Sequence, residues 1–291
     1  MQIQSASKSP LIIGHRGFPG NPLNTANIEN TIPSFNEAWN LKTDGIELDV
    51  HLTKDGVLVI HHDDNLGRVF SIPGDNNERL ISEYTWEELQ RAELNLAGIK
   101  DGLRTSVIGN LEHLDRFVEV KIPKLKDLFP IPQGKKIFLE LKFEKDVEPE
   151  SANGKEYLNR LARATAQFLR ANDLIDSTYV LSFVPSALLA IKNEEPKIIT
   201  AYNIWQEETT KPDSEKAIRG LKDHYQFNAV NPPFEQATKD STRLCHNLGL
   251  ETYPWVWKQR YLEEQEMTYR ILRDGANGTI NNQAWMKAIL F

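Results

Sequence analysis

Three short segments place ionisable side chains where a buried strand should be ending. In GHRG, His15 and Arg16 directly follow the apolar run 11–13. In GIELDVH, Glu47, Asp49 and His51 occupy alternate positions and so share one face of an extended strand. Two carboxylates on the inward face of an apolar strand repel each other and are costly to desolvate unless a cation sits between them. A hard divalent metal, which binds through oxygen, would be such a cation. An exposed edge strand is the competing reading, because Ile46, Leu48 and Val50 allow either face to be the buried one. In VLVIHHDDNLGR, one of His61 and His62 should face a site and the other face away. Asp63 or Asp64 then orients an imidazole or caps the turn, and Arg68 reads as a surface cation. In IFLELK, Glu140 and Lys142 share a face at a strand end, as site residues or as a plain cross-strand ion pair. Taken together, His15, Arg16, Glu47, Asp49, His62, Glu140 and Lys142 make one inventory. Two imidazoles supply a general acid and a general base, three carboxylates hold a metal, and Arg with Lys neutralises an anion.

Those residues need a scaffold that gathers strand ends. Apolar, β-branched-rich runs recur at 11–14, 45–51, 57–61, 137–142, 178–183, 197–202, 227–231, 251–257 and 276–281. Helical patterns fall between many of them, at 154–172, 186–193, 213–225, 235–248 and 260–273, and this alternation predicts a parallel sheet with crossovers. Only LTKDG separates 45–51 from 57–61; five residues cannot form a parallel crossover, so that pair is an antiparallel hairpin turning at Asp55-Gly56. Setting 57–61 aside as a hairpin arm leaves eight strands, the number of a (β/α)8 TIM barrel, whose active sites lie at the C-terminal strand ends. The polar region 64–122, with helix signals near 82–95 and 110–118, breaks the alternation and is expected as an insertion on the catalytic face of a single domain spanning 1–291.

The 291 residues carry 34 Lys+Arg against 41 Asp+Glu, a net charge of -7, which argues against non-specific binding to nucleic acid or anionic membranes. An anionic substrate therefore needs a local positive focus. Mean hydropathy is -0.48, and no apolar run approaches the ~20 residues of a membrane span. Residues 1–10 show no signal-peptide pattern. The single cysteine, Cys245, excludes an internal disulfide and fits a reducing compartment. A cytoplasmic location is expected, or a periplasmic or secreted one if a leader has been removed.

In chain order, GHRGFPG, IENTIPSF, DGIELDVHLTKDGVLVIHHDDNLGR, IPKLKDLF and FLELK resemble the glycerophosphodiester phosphodiesterases. The resemblance is dense over 12–68, resumes at 122–142, and thins to loose matches at LSF, AVNPP and YPWVWK. It implies a metal-dependent (β/α)8 barrel that hydrolyses small phosphodiesters such as glycerophosphocholine to glycerol 3-phosphate and an alcohol. By motif, His15 and His62 become the acid/base pair; Glu47, Asp49 and Glu140 hold Ca²⁺ or Mg²⁺; Arg16 and Lys142 contact the phosphate. Glu29 supports Arg16 or the metal shell, while Asn30 and Thr31 read as helix caps. The chain departs from the family pattern at the eighth strand, where Asn281-Asn282 stand in place of Thr-Asp. That change leaves the metal set intact and alters the pocket rim. Trp255 and Trp257 are candidates to line a cationic head-group pocket, with core packing the alternative for at least one. Relatives acting on lysophospholipids in the manner of a phospholipase D, or on phosphoinositides, would share the fold. A non-catalytic binding barrel would lack one of the seven polar residues, and none is missing.

Overall fold

The computed structural model describes residues 9–21, 25–95, 120–144, 148–204, 214–256 and 261–290. The apolar runs form β1 (Leu11–Gly14), β2 (Gly45–Leu52), β3 (Leu58–Ile60), β4 (Lys136–Leu141), β5 (Thr178–Ser182), β6 (Ile199–Asn203), β7 (Ala229–Asn231), β8 (Glu251–Thr252) and β9 (Gly278–Asn281). All but β3 pair in parallel, in the order β8-β7-β6-β5-β4-β2-β1-β9. β3 is the antiparallel arm on β2, with Val50 opposite Ile60 and Leu52 opposite Leu58. The turn between them closes at Gly56, whose φ of +81° suits glycine.

The sheet curls into a barrel because its two outer strands meet. The Ile280 N–H donates to Pro254 O at 2.9 Å and the Val256 N–H to Ile280 O at 3.1 Å. β8, expected over 251–257, keeps a regular ladder only to Thr252. Pro254 has no N–H to contribute, and the chain continues as single bridges from Trp255 to Pro233 and Ile280.

Helices α1 (Ile32–Asn40), α2 (Ala152–Ala171), α3 (Pro185–Glu194), α4 (Ser214–Tyr225), α5 (Lys239–Asn247) and α6 (Tyr261–Arg273) lie in six of the seven crossovers; the seventh, from β2 to β4, runs through β3 and the interrupting region. In α2, Leu158, Leu161, Ala162, Thr165, Ala166 and Leu169 are buried at helical spacing, and Ser151 caps the first turn by accepting from the Gly154 N–H at 3.1 Å. This face belongs to an outer core with Ile46, Leu48 and Val50 of β2. Those three side chains thereby take the helix side of the strand, and alternation sends Glu47 and Asp49 inward. The barrel interior is filled by Ile13, Phe138, Tyr179, Leu181, Ala201, Ala229, Tyr253 and Ile280, with Phe138 stacked on Tyr179 at 4.6 Å. No described helix is long and apolar enough to cross a membrane.

Within the interrupting region, residues 64–95 build a satellite core. Leu66, Val69, Phe70, Ile72, Ile81, Tyr84, Leu89 and Ala92 pack on Ile28 and Val59. The helix signal at 82–95 resolves into a short turn and Trp86–Leu89, capped by the Thr85 hydroxyl, which accepts from the Glu88 N–H. The signal at 110–118 lies outside the described residues.

Candidate active site

The expected residues converge at the C-terminal ends of β1, β2, β3 and β4. The turn after β1 is tight: a Cβ on Gly14 would meet Gly17 O at 2.3 Å, and one on Gly17 would meet Ser34 Oγ at 2.5 Å. Between these glycines Arg16 adopts φ +52°, a conformation that costs an L-residue about 1–2 kcal/mol. The strained turn points the Arg16 N–H at Glu47 Oε2 (2.8 Å) and its guanidinium at Glu29 Oε1 (2.8 Å) and Asp49 Oδ2 (3.6 Å).

Glu47, Asp49 and Glu140 are 3%, 1% and 8% exposed. Each offers a carboxylate oxygen to a group lying within 4.8 Å of one another. Burial, reinforced by the Asp49 and Glu140 charges, pushes the Glu47 carboxyl well above the usual carboxylate range. Burial also raises Glu140, against the pull of Lys142. At Asp49 burial is outweighed by Lys142 and its neighbours, and the carboxyl is held far below its ordinary value. Lys142 Nζ lies 2.9 Å from Glu140 Oε1 and 3.4 Å from Asp49 Oδ1. Counting Glu29 and Asp63 with the cluster, five carboxylates face the fixed cations Arg16, Arg68 and Lys142, leaving a deficit of two positive charges. Three converging oxygen donors and that deficit fit one hard divalent cation.

Both imidazoles are oriented through Nδ1. His15 Nδ1 donates to Asn282 Oδ1 at 2.9 Å, and its Nε2 faces Glu47 Oε2 at 4.0 Å. His62 Nδ1 donates to Asp63 Oδ1 at 2.9 Å. Burial, with the Arg16 charge beside it, brings His15 down to about 3. Burial, with Arg16 and Lys142, brings His62 to about 4. Both rings are therefore neutral near pH 7 and present an unprotonated Nε2.

Of the HisHis pair, His61 turns away: its Nε2 donates to Asn65 O at 3.1 Å and its ring packs 6.1 Å from Phe70. His51 is fully buried 6.4 Å from that ring, with neither nitrogen hydrogen-bonded among the described residues.

Two readings are corrected. Arg68 is not a surface cation: its side chain is 19% exposed and forks between Asp63 Oδ2 (2.6 Å) and Glu29 Oε1 (2.6 Å). It thereby ties the partner of His62 to the partner of Arg16. Asn30 is not a helix cap: its Nδ2 donates to Asp49 Oδ2 at 2.7 Å and its Oδ1 accepts from the Asp49 N–H at 3.2 Å. Thr31 does occupy the cap position of α1, yet its hydroxyl donates to Ile28 O rather than capping. Glu29 contacts Arg16 and Arg68; the two guanidiniums overcome its burial and hold its carboxyl well below the ordinary range.

On the far side of the barrel, Asn203 Nδ2 donates to Glu140 Oε2 at 3.1 Å and Asn231 Nδ2 to Asn203 Oδ1 at 3.0 Å. Trp255 Nε1 donates to Asn231 O at 3.0 Å, and the ring is edge-on to Phe183. The asparagines of β6 and β7 went unremarked in the sequence; the signal was an Asn closing each of two successive apolar strands. Trp257 lies outside the described residues.

The Arg68 fork carries a prediction. Arg68→Ala leaves two buried carboxylates without their shared cation and should destabilise the fold by about 3–5 kcal/mol in urea unfolding. A loss under about 1 kcal/mol would show that neither carboxylate depends on it.

A parallel barrel with three buried carboxylates that could hold a metal ion and two imidazoles at its strand ends has the construction of a (β/α)8 enzyme. Residues 15–283 match the glycerophosphoryl diester phosphodiesterase family, and the chain belongs to that family. It is accordingly an enzyme, a phosphoric diester hydrolase acting on glycerophosphodiesters. A glycerophosphodiester phosphodiesterase of Caldanaerobacter subterraneus is 26% identical over 94% of this chain and 93% of its own. One from Bacillus altitudinis is 45% identical over a shorter stretch, 28% of this chain and 29% of its own. Among solved structures, an Oleispira antarctica phosphodiesterase in complex with the product sn-glycerol-3-phosphate superposes with a TM-score of 0.70 (19% identity, 97% of each chain). The Thermotoga maritima glycerophosphodiester phosphodiesterase gives 0.64 (22% identity, 97% of this chain and 98% of that one).

Proposed function

We propose that the chain hydrolyses glycerophosphodiesters to glycerol 3-phosphate and an alcohol with His15 as general base, His62 as general acid, and a divalent cation held by Glu47, Asp49 and Glu140. The observation that carries this reading is two Nδ1-anchored imidazoles flanking a buried tri-carboxylate cluster. When bound, Ca²⁺ or Mg²⁺ would offset charge building on the phosphate oxygens. His15, whose Asn282 partner keeps Nδ1 protonated, accepts the proton of the glycerol 2-hydroxyl at Nε2 as that oxygen bonds to phosphorus. The bond from phosphorus to the departing alcohol breaks as His62, which takes up a proton at Nε2 once the anionic phosphate lies beside it, passes that proton to the alcohol. The roles reverse when water opens the cyclic phosphate. His62 suits the acid role because Asp63, itself held by Arg68, stabilises its imidazolium. An anionic phosphate nearby adds to its proton affinity. Arg16 and Lys142 bring positive charge to the phosphate, and Trp255 borders the head-group side.

Residues 64–122 act in this reading as an insertion on the catalytic face of one domain spanning 1–291; Arg68 reaching Glu29 supports it. A human lysophospholipase D is 43% identical over 60 residues, 21% of this chain. So short a stretch favours no lysophospholipid preference. The test is hydrolysis of glycerophosphocholine by EDTA-treated protein, before and after each metal is restored. Activity should fall at least about 100-fold with EDTA and return with Ca²⁺ or Mg²⁺. Full activity without metal would overturn the metal role.

A further inference from the structure

We propose that Glu264 is a positioning residue for His15, acting through Asn282 to fix the tautomer of the imidazole; this rests on reading His15 as the general base. α6 buries Glu264 to 2% exposure beneath the end of β9. Its Oε1 accepts from the Asn282 N–H at 2.6 Å, and Asn282 Oδ1 in turn accepts from His15 Nδ1 at 2.9 Å. The other carboxyl oxygen has no hydrogen-bond partner among the described residues. A carboxyl so placed is costly to bury.

The chemistry lies in the two ends of the Asn282 amide, which are nearly equal in shape and opposite in hydrogen-bonding sense. With Oδ1 toward the ring, the imidazole must carry its proton on Nδ1, and Nε2 keeps a lone pair that faces Glu47 at 4.0 Å. With the amide turned over, Nδ2 would donate to Nδ1, the ring proton would move to Nε2, and the base would be blocked. An acceptor on the far side of Asn282 decides between them. Glu264 pins the backbone of Asn282 through Oε1, and its second, unpaired oxygen favours the amide's N–H₂ end on the Glu264 side, leaving Oδ1 for His15. Burial pushes the Glu264 carboxyl up to about 7, and in either protonation state an oxygen remains to accept. Asn282, unlike an aspartate in the same place, can turn either a donor or an acceptor to the ring.

Two-bond ¹H–¹⁵N spectra of ¹⁵N-histidine-labelled protein report the His15 tautomer without reference to activity. Wild type should show the Nδ1–H form. Glu264→Leu, similar in volume and without an acceptor, should show a mixture of the two neutral forms, with kcat lowered about tenfold and KM within twofold. Glu264→Gln, which keeps an acceptor oxygen, should restore both readings. Glu264→Met is a second variant read in the same way, and Asn282→Ala must give the same mixture. A pure Nδ1–H ring in any folded member of the Leu, Met or Asn282→Ala set overturns the proposal. Should His15→Ala remain active, the reading of His15 as base fails instead, and the tautomer result stands apart from it.

Discussion

Removing either imidazole is expected to lower kcat on glycerophosphocholine by about 10²–10⁴-fold with the fold retained, the range that general acid or base catalysis contributes. The fold should survive because neither ring is a core element: the His15 and His62 side chains are 13% and 31% exposed. Asp63 also keeps Arg68 when His62 is gone. The two losses are separable by the leaving group. From a glycerophosphodiester of p-nitrophenol the leaving group is p-nitrophenolate, a stable anion that needs no proton. On that substrate the first-turnover release of p-nitrophenolate by His62→Ala should recover to within about tenfold of wild type, while that of His15→Ala should remain impaired by the full factor. Single-turnover release of the alcohol from the two substrates checks this. Equal deficits for the two variants on both substrates would mean that the acid and base are not divided as proposed.

The second large effect concerns the carboxylates. Adding Ca²⁺ or Mg²⁺ at about 100 times its dissociation constant should stabilise the protein by about 2.7 kcal/mol, a rise of about 5 °C or more in thermal midpoint. Glu47→Gln should erase that rise. Without metal it should unfold at or above the wild-type temperature, because it removes one of three like charges buried within 4.8 Å. In a role confined to holding the fold, the same substitution would lower the metal-free midpoint. Calorimetry with and without EDTA distinguishes the outcomes, and an unchanged metal response in Glu47→Gln would exclude Glu47 as a ligand.

Much of the site could be read locally. Period-two spacing put Glu47 and Asp49 on one face, and the five-residue link through Asp55-Gly56 required a hairpin. That hairpin in turn brought His62 back toward the end of β2. These are short-range consequences of strand geometry, and β3 pairs with β2 as the spacing demands. The choice of face could not be read the same way, since Ile46, Leu48 and Val50 tolerate either environment; the outer helices settled it by covering those three.

What failed was the assignment of partners distant in sequence. Arg68 looked like a surface residue because nothing within a helical turn or a strand step explains it. Its partner Glu29 is 39 positions away, and the satellite core of 64–95 brings the two together. Asn30 looked like a cap because Asn commonly caps helices, whereas Asp49, 19 positions on, offers it two hydrogen bonds.

The sequence alone determined the element order, the hairpin, the alternation that makes a barrel, and the residue types able to bind a cation and move protons. Each of these follows from local periodicity and turn chemistry. The tertiary structure alone decided which groups hold which: Asn282 on His15 across 267 positions, Asn203 on Glu140 across 63, and Arg68 between two carboxylates. The physical reason is closure. Once β9 pairs with β1 and bridges to Trp255, the first and last strand ends become neighbours. Side chains with no local relation then share one buried, poorly solvated space, where a charge is costly unless it is paired.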